Sequence, residues 1–500
     1  MRTENAVIVG AGIAGLVAAI DLAARGVGVT VLERAAEPGG KMREVEIAGS
    51  RIDAGPTVFT MRWVFDEILG VAGTTLADHV TLRPLQILAR HAWNAGERLD
   101  LFADVDRSTM AIGAFAGAAE ARRFGAFCAR ARAIYSTLED PYLRAPRGGP
   151  ASLLRRAGLR NLPALWRISP FATLWTALGE HFHDPRLRQL FGRYATYCGS
   201  SPFRAPATLM LIAHVEQDGV WTIVGGMQRL AEALVNVGTR LGVTFRFRSP
   251  VARIATSGGR TTGVMLASGE QVAADAVVVN ADVAALAEGR FGTAATSAVP
   301  AVAPAGRSLS AVTFAVVGCT DGFPLVRHNV FFSPDYPAEF DALFRRAELP
   351  VVPTVYVCAQ DRGDPADPVA PANERLLCLV NAPANGDTRA FTATEIEQCE
   401  ERTFTRLTEC GLNVERTRDN VVVTTPADFE RLFPATGGAL YGRATHGWRA
   451  SFQRPGARSQ IPGLYLAGGS IHPGPGVPMA ALSGRQAAAS VLADLGSTRR

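Results

Sequence analysis

A short apolar run, Ala6-Val7-Ile8-Val9, ends in Gly10-Ala11-Gly12-Ile13-Ala14-Gly15 and passes directly into helical periodicity. This strand-turn-helix unit restricts the fold more than any other stretch of the chain. Gly10 permits the tight turn, Gly12 lets the backbone approach a pyrophosphate, and Gly15 lets the helix lie close on the strand. The phosphates then face the positive helix N-terminus. Leu16, Ala19, Ile20 and Ala23 form the apolar helix face, Arg25-Gly26 closes it, and Val27 to Leu32 reads as the next strand. Glu33 follows, placed to accept hydrogen bonds from an adenosine ribose. A Gly-rich turn of an ordinary α/β unit would also match the three glycines, but the complete strand-turn-helix-strand-acid order favours a nucleotide. NAD and FAD would use Glu33 alike, so this unit leaves the choice between them open.

The following residues narrow it. Glu33-Arg34 is followed by Gly39-Gly40-Lys41 and then by Asp53-Ala54-Gly55-Pro56-Thr57. This succession resembles the large FAD-dependent oxidoreductase group that includes amine oxidases, protoporphyrinogen oxidase and the bacterial carotenoid desaturases. The resemblance implies FAD, with Gly40 and Lys41 along the cofactor, the Gly55-Pro56-Thr57 turn approaching the flavin ring, and Val251 bringing a backbone group to the adenine. It also implies an α/β fold in which a Rossmann-like FAD-binding domain is interleaved with a mixed-sheet and helical domain for substrate and membrane, as in amine oxidases.

Near the C-terminus, Ile461-Pro462-Gly463-Leu464-Tyr465-Leu466-Ala467-Gly468-Gly469 is a strand delivered to a Gly-rich turn, followed by His472-Pro473-Gly474-Pro475-Gly476-Val477-Pro478-Met479. Pro478 suits a first helical turn, and a helix N-terminus there offers partial positive charge to a reduced flavin. This run resembles the carotenoid desaturases in particular, and it implies that Gly468, Gly469, Val477, Pro478 and Met479 contact the cofactor. Gly468-Gly469-Ser470 departs from the Gly-Ala-Gly or Gly-Asp of many relatives. Cys198-Gly199-Ser200-Ser201-Pro202-Phe203, Gly219-Val220-Trp221, Gly225-Gly226-Met227 and Asn280-Ala281-Asp282 carry the resemblance over most of the chain. The run Ala54 to Asp66 is similar to the branch that desaturates 1-hydroxylated or 1-methoxylated acyclic carotenoids at the 3,4 position, in bacterial spheroidene and spirilloxanthin synthesis.

The motifs divide the chain into five expected segments. Residues 1-84, 216-305 and 446-500 build the FAD-binding domain, 85-215 is helical and faces substrate and membrane, and 306-445 supplies a mixed sheet. Long Ala/Arg stretches such as Ala116 to Ile134 support the helical reading. Strands are expected at Ser310 to Val317, Val326 to Phe332, Val351 to Cys358 and Leu376 to Asn381.

With 48% hydrophobic and 19% charged residues, the chain carries surplus apolar surface. No apolar run reaches the roughly 18 to 20 residues of a spanning helix, and no signal-type cleavage site appears. Seven scattered cysteines without a C-x-x-C pattern read as reduced thiols of a cytoplasmic chain. The eight histidines form no ligand cluster, so no metal is expected. Arg144, Arg147, Arg155, Arg156, Arg160 and Arg167 lie among Leu153, Leu154, Leu162, Leu165, Trp166, Phe171, Leu174 and Trp175. That mixture suits peripheral attachment to an anionic membrane surface, the inner or photosynthetic membrane. It equally suits a helix pair packed on the sheet with a solvated arginine face. Nucleic acid is not expected, since no binding module accompanies the charge.

Desaturation by hydride transfer leaves an allylic cation whose neighbouring proton is acidic, so a weak base or water suffices. Accordingly the chain shows no acid/base dyad or nucleophile triad. Arg62, Trp63, Tyr197 and His472 are the weak catalytic candidates. The electron acceptor, a quinone or oxygen, is not specified by these motifs. They also admit a phytoene desaturase, a carotenoid isomerase or another amine-oxidase-like flavoenzyme, although amine oxidases typically use a lysine near the flavin and Lys41 is the only lysine here. A prenyl-protein escort shares the fold without binding flavin, and intact Gly10, Gly12, Gly15 and Glu33 argue against it.

Overall fold

A computed structural model describes residues 4–158, 165, 166, 168, 171–363 and 372–497. Its first sheet is parallel throughout, with five strands in the order Leu464–Leu466, Ala276–Val279, Asn5–Val9, Gly28–Leu32, Thr244–Arg246. A parallel sheet is covered on both faces, so its strands are apolar at nearly every position. Ala6 to Val9 and Ala276 to Val279 are all buried for this reason. Strands from three distant parts of the chain therefore meet in one sheet. The helix Ile13–Ala23 packs on it beside the terminal helix Val477–Ser497.

The second sheet has seven strands, in the order Val421–Thr424, Ser310–Gly318, Glu374–Ala382, Val355–Ala359, His328–Phe331, Ile87–Ala92, Arg98–Phe102. It is mixed, because His328–Phe331 and Ile87–Ala92 run parallel while the other pairs are antiparallel. Here the stretch from 85 departs from expectation. It opens with two strands at the sheet edge, whose Leu99 and Leu101 alternate with more exposed neighbours in the period of a half-buried strand. Helices begin only at Val105–Ala116, capped by the Asp104 carboxylate, which accepts from the Asp106 and Arg107 amides. The expected helix from Ala116 starts at Ala118, because Gly117 at φ +94° separates it from the one before. The strand expected from Val351 starts at Val355, after Pro350 and Pro353, and leaves Val351 and Val352 exposed.

Ala118–Leu138, Leu174–His181 and Pro185–Gly192 lay Phe124, Phe127, Phe182 and Phe191 over Val330 and Phe332 of the mixed sheet. Of the arginine-rich stretch, Pro150–Ala157 is helical, whereas Arg160, Leu162, Pro163, Arg167 and Pro170 lie outside the described residues. No helix among the described residues is long and apolar enough to cross a membrane.

Candidate flavin and substrate site

The dinucleotide cradle is dense. Gly10 donates its amide to the Leu32 carbonyl at 2.8 Å, and Gly39 donates to the Ala11 carbonyl at 2.9 Å. These bonds hold the Gly39-Gly40 turn against Gly12. A Cβ on Gly15 would stand 2.2 Å from the Gly10 carbonyl oxygen, and one on Gly12 would stand 2.8 Å from Asn280 Nδ2. Asn280 in turn donates Nδ2 to the Gly10 carbonyl at 3.2 Å, locking the end of one parallel strand to the turn of its neighbour. Its place at the end of a strand was legible; this bond was not.

Glu33 is buried, and its carboxylate accepts from the Ala11 amide at 2.7 Å and the Ala35 amide at 2.8 Å. A carboxylate has about four acceptor sites, so capacity remains for ribose hydroxyls. The chain bearing Val251 runs close by: the Ser249 amide donates to the Glu33 carbonyl at 2.8 Å, and Arg248 to the Ala35 carbonyl at 2.9 Å. Lys41 donates Nζ to the Leu440 carbonyl at 2.6 Å and lies over the Phe433 ring, with burial lowering its pKa.

Gly55-Pro56-Thr57 is pinned from two sides. A Cβ on Gly55 would stand 1.9 Å from the Lys41 carbonyl oxygen. Just before it, buried Asp53 accepts the Met227 amide at 3.0 Å, while its own backbone exchanges hydrogen bonds with the Gln360 amide side chain at 3.0 and 2.8 Å. Burial raises the Asp53 pKa, and the Met227 amide works against that shift. Asp53 and Met227 stand inside motifs recognisable in the sequence, whereas Gln360 carried no signal there.

On the opposite side, Gly468 donates its amide to Ser483 Oγ at 3.1 Å, and Ser470 Oγ accepts the Val283 amide at 3.2 Å. The buried Arg454 guanidinium donates to the carbonyls of Tyr441, Gly469 and Arg443 at 3.0, 3.0 and 2.7 Å. It crossbraces the loop that leads into the terminal helix.

Between these two sides lies a cavity of about 410 Å3. Gly55 to Val58 form one flank and Pro473 to Met479, including the N-terminus of the terminal helix, form the other. Leu138, Leu143, Ile212 and Val215 of the helical layer and Leu377 and Leu379 of the mixed sheet complete a largely apolar wall. Of the four weak catalytic candidates, only Tyr197 lines this cavity among the described residues. Arg62 pairs with Asp66 on its own helix at 3.1 Å, and Trp63 lies under the Arg144 guanidinium at 3.8 Å. His472 is buried against Tyr142 and shares Nε2 with the carbonyls of Tyr142 and Ala145 at 3.0 Å each. Burial lowers its pKa to about 4, so the ring is neutral. Among the described residues no group of histidine, cysteine or acidic side chains is arranged to hold a metal.

A pyrophosphate cradle that even one methyl group would fill, an acid beside the ribose position and an apolar cavity between two pinned turns define a flavoprotein of the amine-oxidase type. The model of the flavin containing amine oxidoreductases matches residues 13–492. The cyclohexylamine oxidase of Brevibacterium oxydans has the same fold, with a TM-score of 0.56 over 99% of this chain and 100% of that one at 16% identity. Hydroxyneurosporene desaturase of Rubrivivax gelatinosus is 56% identical over 100% of this chain and 95% of its own, and that of Cereibacter sphaeroides is 45% identical over 99% and 98%. The chain belongs to the flavin containing amine oxidoreductases and, within them, to the family of the hydroxyneurosporene desaturases.

Proposed function

We propose that the protein desaturates an acyclic 1-hydroxy- or 1-methoxycarotenoid at its 3,4 bond, using FAD. The observation that carries this reading is the cavity itself, apolar along most of its wall and flanked directly by the Gly55-Pro56-Thr57 turn and the terminal helix. FAD, when bound, supplies the two-electron acceptor for the hydrogen removed. Gly10, Gly12, Gly15 and Glu33 would hold its dinucleotide, Val251 would lie at the adenine, and Gly40, Lys41, Gly468 and Gly469 would lie along it. Gly55, Pro56, Thr57, Val477, Pro478 and Met479 would meet the ring. The protein's part is then to exclude water and to hold one bond of the polyene in place. The full-length likeness to two hydroxyneurosporene desaturases supports the substrate class.

The test is a product analysis. In liposomes, the flavoprotein should convert 1-hydroxyneurosporene at least roughly tenfold faster than neurosporene and should handle phytoene poorly, because a site that pairs an oxygen loses that partner with a hydrocarbon. Efficient multistep conversion of phytoene, with no gain from the oxygen, would replace this reading with a phytoene desaturase.

The same reading includes peripheral attachment to a membrane, where the substrate resides. Trp166 and Phe171 are 75% and 62% exposed, and Phe171 meets Trp448, which also lines the cavity. Arg155 and Arg156 stand in the last turn of the neighbouring helix. Exposed aromatic side chains in contact with a cavity-lining tryptophan, near arginines in the sequence, fit a lipid interface. In vesicle flotation, Trp166→Ser/Phe171→Ser should bind several-fold less than wild type, and Arg155→Ala/Arg156→Ala should weaken binding mainly at low salt. Flotation of all three proteins to the same extent at every salt concentration would rule this surface out.

A further inference from the structure

We infer that Arg193 reads the substrate's oxygen, and that it does so through the oxygen's lone pairs and not through the hydroxyl hydrogen. The inference rests on the proposed carotenoid substrate and adds the residue that selects it.

Arg193 lines the cavity and is half-buried. A guanidinium has five N–H donors. Among the described residues, only Nη1 has an acceptor, the Tyr197 hydroxyl at 3.0 Å, and no carboxylate forms an ion pair with Arg193. The Tyr197 hydroxyl donates onward to Glu216 at 2.8 Å, and Tyr194 occupies the other Glu216 oxygen at 2.7 Å. Each oxygen of the carboxylate is thus engaged by a tyrosine, and the carboxylate balances the arginine through one of them. A charge held at a cavity wall with most of its donors unused is a costly arrangement without a ligand. Elsewhere the fold handles a buried guanidinium differently: Arg454 is satisfied by three backbone carbonyls.

Position supports the same conclusion. In a 1-oxygenated carotenoid reacting at the 3,4 bond, the oxygen is three single bonds from the nearer reacting carbon, a reach of roughly 4 Å at ~1.5 Å per bond. Whatever reads it must therefore stand beside the flavin ring and not at the far end of a tunnel. The Arg193 guanidinium lies over the Tyr356 ring, 5.4 Å from its centroid, and the Tyr356 hydroxyl is 2.7 Å from Thr57 Oγ1 in the Gly55-Pro56-Thr57 turn. A second bond, to His328 Nδ1 at 2.7 Å, fixes that tyrosine.

The donor set also defines the selectivity. Arginine donates and never accepts, so a hydroxyl and a methyl ether satisfy it equally, whereas a hydrocarbon end leaves it unpaired. The site should therefore separate oxygenated from unoxygenated carotenoids and treat 1-hydroxy and 1-methoxy compounds alike.

The experiment compares wild type, Arg193→Met and Arg193→Lys on 1-hydroxyneurosporene, 1-methoxyneurosporene and neurosporene, with flavin occupancy and thermal stability recorded for each protein. Carotenoid binding is also followed independently of turnover, by the spectral shift of the polyene. For wild type, the two oxygenated substrates should bind and react within a factor of a few of one another. Arg193→Met should reduce the preference for oxygenated over unoxygenated substrate roughly tenfold to a hundredfold, through weaker binding and slower turnover of the oxygenated compounds relative to neurosporene. Arg193→Lys, still a donor, should recover part of the preference. A methionine variant that slows all three substrates equally would make Arg193 a scaffold residue and overturn the inference. Strong rejection of the methoxy compound by wild type would overturn it too, because an acceptor would then be reading the hydroxyl hydrogen. Failure of wild type to desaturate any oxygenated substrate would instead remove the proposed function, an outcome distinct from either.

Discussion

Gly15→Ala is expected to leave the protein without flavin. The added methyl carbon would stand 2.2 Å from the Gly10 carbonyl oxygen and 2.9 Å from Asn280 Nδ2, and neither of these is free to move. The carbonyl belongs to the turn itself, and Asn280 ties that turn to the adjacent strand. The helix Ile13–Ala23 must therefore lift off the sheet, against its packing on the terminal helix. Overpacking of this kind costs about 1–3 kcal/mol. The larger effect is on the cofactor, because the helix N-terminus and its amides move away from the pyrophosphate they would hold. Flavin affinity should fall at least roughly tenfold, the equivalent of about 1.4 kcal/mol of lost binding, read as flavin absorbance lost on dilution. Gly12→Val should behave similarly, since its Cβ meets Asn280 Nδ2 at 2.8 Å. The control is Gly125→Ala, in the helix Ala118–Leu138, where a Cβ meets nothing within 4 Å. That variant should keep its flavin and lose no stability. Normal flavin content in Gly15→Ala would reject the assignment of this turn to the cofactor.

Asp53→Leu is expected to be nearly as severe, although it leaves the glycines intact. The carboxylate accepts the Met227 amide just before the helix Gln228–Arg240, so it satisfies a helix N-terminus from a different part of the chain. Leucine is similar in bulk and leaves that buried amide without a partner. The loss is on the order of 2–4 kcal/mol, read as a lower thermal midpoint. It also frees the Gly55-Pro56-Thr57 turn on one side, so flavin should dissociate more easily on dilution. Asp53→Asn separates the causes. Its amide oxygen can still accept from Met227, and because burial already raises the Asp53 pKa, losing the charge is less costly here than at the surface. Asparagine should therefore keep most of the stability and most of the flavin. Equal loss in both variants would mean that charge, not the hydrogen bond, holds the two segments together.

These variants also separate what could be read from the sequence from what could not. The unit from Ala6 to Glu33 was legible because its constraints are local: three glycines, one turn and an acid at a set distance along one continuous chain. The C-terminal run to Met479 was legible for the same reason. The parallel strands could be picked out because burial on both faces requires apolar residues at every position, as at Ala276 to Val279. The strands Ile87–Ala92 and Arg98–Phe102 were missed, since the long Ala/Arg periodicity further along dominates the reading of that segment and the outer strand, Arg98–Phe102, buries only alternate residues.

The side chains in and around the cavity fall on the other side of that division. Asp53 meets Met227 and Gln360, Arg193 lies over Tyr356, and Tyr356 reaches Thr57, each across a large separation in the chain. An arginine with one engaged donor looks the same in sequence as the 49 others. Only the packing of the helical layer against the mixed sheet places that charge at the wall of an apolar cavity and withholds an ion-pair partner. What a cofactor requires was written locally, as turns and spacings; which side chains line the cavity depends on what two distant layers bring together, and folding alone decides that.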